Sequence, residues 1–171
     1  MSFEFSWKNK EANFGAPIEK EVDGGTHFTI EIILKYKGSY IMVRRPKGYP
    51  GHQLPPKAEK YPKGCTYFSH DLPKWGETLS QSVKRIVKNQ LDVEVKNIDV
   101  LDLEMQTYPD ELHKEGNKQW AITLYVLAEL NHPPICTKDV TEVISFDHNK
   151  IPNDMAWWTQ DELKEFLEEN E

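Results

Sequence analysis

GETLSQSVKRIVKNQLDV, residues 76–93, carries a full helix specification in one short stretch. Thr78 followed by Gln81 fits a capping box, in which each side chain satisfies a backbone N–H that the first helical turn leaves unpaired. Leu79, Val83, Ile86, Val87 and Leu91 then recur at helical spacing, so one face is apolar. At about 100° per residue, Gln90 falls on that apolar arc and not on the solvent side. A partly buried amide must find partners, either on a neighbouring strand or on a bound molecule. Lys84, Arg85 and Lys88 make the same helix positive.

Outward from this helix the sequence reads as strands. HFTIEIILKY, residues 27–36, alternates Phe28, Ile30, Ile32, Leu34 and Tyr36 against Thr29, Glu31, Ile33 and Lys35. Lys37 and Gly38 signal a turn into SYIMVRR, so a hairpin is expected. Residues 46–64 contain five Pro and three Gly without periodicity and read as a long loop. CTYFSHDL gives a short strand that ends at Pro73, and IDVLDLEMQTY, QWAITLYVLAEL and VTEVISF supply further strands after the helix. WWTQDELKEFL closes the chain with a second capping box, Thr159 with Glu162, and with Trp158 and Leu163 placed as a hydrophobic staple. This order predicts an α+β domain, an α/β/α sandwich with a mixed sheet packed between helices. It comprises one domain over residues 1–171, with an N-terminal extension (1–26), a basic loop (46–64) and an acidic C-terminal helix (159–171).

Composition agrees with a globular chain. Hydrophobic residues make up 38% and charged residues 29%, which is too rich in core formers for a disordered segment. The net charge of -7 argues against general nucleic-acid binding. No apolar run approaches a membrane span, and the start lacks a secretion pattern, so a cytoplasmic protein without membrane association is expected. Cys65 and Cys136 are the only cysteines and have no metal-binding spacing. Six Lys or Arg lie between Arg44 and Lys63, against Glu59 alone, a cluster suited to a solvated loop or to an anionic ligand.

Residues 76–93 resemble the second part of the Nudix signature, G-x5-E-x7-R-E-U-x-E-E-x-G-U, where U is aliphatic. Glu77 and Arg85 set the register, Val87 and Val93 fill the aliphatic positions, and IMVRR and WWTQDEL stand where the family places a strand and a C-terminal helix. The resemblance covers roughly residues 27–167 and implies a Nudix-like fold. It also implies that Glu77 and Arg85 form a salt bridge tying the loop to the helix. The departures bear on chemistry. Where the family carries the glutamates that hold magnesium or manganese, this chain has Ile86, Asn89 and Gln90, and the signature glycines become Asp71 and Asp92. Mg²⁺ favours carboxylates, and two amides and an aliphatic group supply no negative charge.

The expected function is therefore binding of a nucleotide or another phosphorylated, diphosphate-containing metabolite, with metal-dependent hydrolysis lost or weak and no cofactor required. Arg44, Arg45, Asn89, Gln90 and Glu104 are the candidate ligand residues. No catalytic residue is assigned, and the oligomeric state is left open. One alternative is an active, divergent pyrophosphohydrolase whose Mg or Mn site is rebuilt from acids such as Glu77, Glu104, Asp71 or from His70. Another is a protein-interaction scaffold. Asp110, Glu111, His113 and Glu115 are grouped without a defined spacing and read as a polar loop. Trp75, Trp120, Trp157 and Trp158 suit either packing or stacking on a base.

Overall fold

β1 (Thr26–Tyr36) and β2 (Ser39–Arg44) form the expected hairpin. Lys37 and Gly38 both have positive φ, 50° and 84°, the signature of a two-residue turn whose twist matches the flanking strands. This computed structural model describes residues 26–45, 61, 63–107 and 120–170. Most of them belong to one compact unit, residues 28–104 and 123–171; residues 26, 27, 105–107 and 120–122, which belong to the second, are strand ends. Lys47, Lys57, Lys60 and the acidic cluster at 110–115 lie outside the described residues, as do the N-terminal extension up to residue 25 and most of the loop at 46–64.

β3 (Thr66–Tyr67), β4 (Ser69–Asp71), helix α1 (Leu79–Leu91), β5 (Val95–Thr107), β6 (Trp120–Leu130), β7 (Glu142–Phe146) and helix α2 (Gln160–Glu169) complete the order. The sheet runs β3-β2-β1-β6-β5, with β4 on β1 and β7 on β2. Beyond the hairpin turn β1 and β2 diverge, and residues 66–71 fill the fork. Tyr67 pairs with Val43 of β2, while Ser69 pairs with Ile32 of β1, both antiparallel. A single parallel bridge, Thr66 to Met155, joins this wedge to the segment leading into α2.

The centre of the sheet is buried on both faces, which is why β1 reads as a nearly continuous apolar run. On one face Ile30, Ile32 and Leu34 pack with Val83, Ile86, Val87 and Leu91 of α1. On the other, Ile33, Met42 and Phe146 pack with Leu163 and Leu167 of α2. The predicted sandwich is thus realised, with one helix on each face among the described residues. Both capping boxes form, at Thr78 with Gln81 and at Thr159 with Glu162, and Trp158 packs against the cluster that holds Leu163.

Candidate functional site

The loop from β4 to α1 is built around one guanidinium. Arg85 Nε donates to Glu77 Oε1 at 2.6 Å and Nη2 to Glu77 Oε2 at 2.9 Å. Nη2 also donates to the Leu72 carbonyl at 2.8 Å, and Nη1 reaches Asp71 at 3.2 Å. Glu77 in turn accepts from the Lys74 backbone N–H and the Ser82 hydroxyl. These bonds, led by that from Arg85, hold the Glu77 carboxyl down at about 2. Gly76 makes the turn possible with φ 81°, a conformation that disfavours any side chain. The salt bridge implied by the Nudix resemblance is present, and Asp71 joins it through the same guanidinium.

α1 ends with Asp92 in the left-handed conformation, φ 48°, where the signature carries glycine. Asp tolerates that region better than most residues. Its side chain is also held by Lys88 at 2.6 Å, which raises the Lys88 pKa.

The three helix positions that carry acids in the signature have separate fates. Ile86 is fully buried in the core beneath α1. Gln90 is 8% exposed and donates its amide to the His70 carbonyl of β4 at 2.8 Å, the neighbouring-strand partner anticipated for it. Asn89 is exposed. Arg45 donates to the same His70 carbonyl, at 3.1 Å, and lies over the Tyr67 ring. A carboxylate at position 90 would face that carbonyl without a hydrogen to give it, whereas the amide fits.

The remaining sequence candidates are scattered. Arg44 does not stand free at the end of β2. It bonds Glu142 at 2.8 Å, Asp154 at 2.7 Å and the Gly64 carbonyl at 2.5 Å, so it clamps β7 and the segment before α2 onto the sheet. Glu104 lies on β5, on the sheet face away from α1, and accepts from the Tyr125 hydroxyl at 2.9 Å. It belongs to a group that sequence reasoning missed, completed by Glu31 and Trp158, whose Nε1 donates to Glu31 at 3.2 Å. The available signal was an acid flanked by Ile30 and Ile32 in a strand buried on both faces. Trp75 is fully exposed and Trp157 is 42% exposed. Among the described residues, no three His, Cys, Asp or Glu side chains come together as a metal site, and no helix is long and apolar enough to cross a membrane.

Among the described residues, two helices enclose a forked sheet and a Glu–Arg bridge braces the loop before the first of them, which is a Nudix-like fold. Solved structures agree. A MutT Nudix hydrolase from Burkholderia pseudomallei superposes with a TM-score of 0.60 at 14% identity, over 82% of this chain and 97% of that one. An ADP-ribose pyrophosphatase from Streptococcus suis gives 0.54 at 11% identity, over 82% and 89%. A UDP-X diphosphatase gives 0.55 at 6% identity, over 96% and 68%. At these identities the likeness is one of fold. No protein-family model matches the chain, and no curated protein does.

Proposed function

We propose that this Nudix-like domain binds a nucleotide or another diphosphate-containing metabolite and does not hydrolyse it efficiently through a metal. The observation that carries this reading is the state of α1. Position 86 is core, position 90 is a neutral amide pinned to β4, and position 89 is an exposed neutral amide. The nearby carboxylates, Asp71 and Glu77, both bond to Arg85, Glu77 through the shorter contact. Protein sites that use Mg²⁺ to activate water and bridge phosphates hold the ion through one or two carboxylates, and the residues at 86, 89 and 90 do not supply them. Lys84, exposed on the same helix, adds a positive charge that repels a divalent cation and attracts a phosphate. Asn89, also exposed on α1, offers a donor and an acceptor to the ligand.

The ligand class follows from the fold's relatives, two of which are described as acting on ADP-ribose and on UDP-X. ADP-ribose and a UDP-sugar are therefore the probes. Calorimetric titration should give the same affinity in EDTA and in Mg²⁺, with the probe recovered intact. Cleavage at ordinary enzymatic rates, roughly 1 s⁻¹ or faster, in Mg²⁺ or Mn²⁺ would overturn the reading.

A further inference from the structure

The sheet face opposite α1 holds two carboxyl groups set among aromatic rings. Glu31 projects from β1 and accepts from Trp158 Nε1 at 3.2 Å; Glu104 projects from β5 and accepts from the Tyr125 hydroxyl at 2.9 Å. Tyr125 packs edge-on to Trp158 at 5.6 Å between centroids, and Phe166 of α2 lies 5.0 Å from Tyr125 and 5.2 Å from Trp158. Trp158 immediately precedes Thr159, the N-cap of α2. The first turn of the C-terminal helix is thus tied to the sheet through an indole that rests on an acid.

Among these side chains Glu31 accepts from the Trp158 indole, in surroundings that disfavour its charge. Burial, reinforced by the nearby Glu104 charge, holds the Glu31 carboxyl up at about 7; the Trp158 N–H favours the charged form but is outweighed. Burial and both glutamates push the Tyr125 phenol up as well, so it remains a donor. Among the described residues, the other titratable and charged groups on the elements packed against this cluster are His70, Lys35, Asp102 and Glu162. His70 lies opposite Glu31 on β4 and turns Nδ1 to the Phe68 carbonyl. Lys35, farther along β1, sits over the Tyr40 ring. Asp102 on β5 adds to the negative field at Tyr125, and Glu162 of α2 is bound within the Thr159 cap.

We propose that Glu31 and Glu104 form a proton-sensitive latch for α2. With Glu31 protonated the pair carries one negative charge, and Trp158 stays seated. Loss of that proton places two like charges in a largely apolar cluster, and the strain is relieved by moving Trp158 outward and loosening the first turn of the helix.

The test follows the Trp158 indole N–H by two-dimensional NMR of the full chain from pH 5 to 9, with the peak assigned through Trp158→Phe. The peak is expected to shift with a midpoint near neutrality. Glu31→Gln should abolish the shift, and Glu104→Gln should move the midpoint to lower pH by removing the neighbouring charge. Amide protection at residues 160–163, corrected for intrinsic exchange, should fall several-fold above the midpoint in the wild type and not in Glu31→Gln. A peak and protection unchanged from pH 5 to 9 would overturn the latch. So would the same midpoint in Glu104→Gln, a comparison that still decides the matter if Glu31→Gln does not fold.

Discussion

Restoring an acid to the signature helix should unfold the domain before it builds a metal site. Ile86→Glu tests this, because Ile86 is fully buried between α1 and the β1 face that carries Ile30, Ile32 and Leu34. Withdrawing an isoleucine from such a site forfeits roughly 1.5–3 kcal/mol of burial. A carboxyl in its place is driven toward the neutral form by about 3 units or more, which at 1.36 kcal/mol per unit adds about 4 kcal/mol at neutral pH. Local relaxation and water entry reduce the sum, so a loss of about 5 kcal/mol is expected, a large part of the roughly 5–15 kcal/mol that holds a domain together. Urea denaturation followed by circular dichroism is the assay. With a slope of about 2 kcal/mol/M, the midpoint should fall by about 2.5 M at pH 7 and by clearly less at pH 4.5, where the acid carries its proton. A variant within about 0.5 kcal/mol of wild type at pH 7 would show that side chain 86 can turn to solvent.

Three further outcomes follow from the ion pairs and acids. Arg44→Met removes a largely buried cation from Glu142 and Asp154, and should cost about 2–3 kcal/mol after allowance for the half-exposed Glu142. Calorimetry should show a melting point lower by about 5–10 °C, with probe affinity unchanged if Arg44 is a structural clamp. Glu31, held up at about 7 against an ordinary 4.5, makes no difference below pH 4.5, and its ionisation opposes folding progressively from there to about 7. Glu31→Gln should therefore match wild type at pH 4 and exceed it at pH 8, by up to about 3 kcal/mol before allowance for partial solvent access. Glu77, held down at about 2, stabilises above pH 4.5 and loses that contribution as pH falls through about 2. Melting curves of wild type and Glu77→Gln should diverge at pH 5 and converge toward pH 2.

What was legible in the sequence was local or followed from a fixed register. The α1 capping box, the buried arc that includes Gln90 and the Glu77–Arg85 bridge all lie within one stretch of chain, where spacing alone sets geometry. The fork between β1 and β2 was not legible, because it depends on residues 66–71 choosing two partners at once. Arg44 misled for the same reason: a charged residue at a strand end suggests a ligand, and its partners, Glu142 and Asp154, lie far along the chain. Glu31, Glu104, Tyr125 and Trp158 come from three strands and the approach to a helix, so no spacing rule unites them. Glu104 stood out in the sequence as an acid available to a ligand site, but its companions emerged only with the sheet order.

α1 carries no carboxylate, and on the proposed reading it therefore holds no divalent cation. Mn²⁺ broadens amide resonances near any site it occupies, so a titration of the ¹⁵N-labelled chain into the millimolar range reads that claim directly. The amides of residues 85–90 are expected to broaden no more than those of the rest of the surface. Selective broadening of those amides at Mn²⁺ concentrations below the protein's would contradict it.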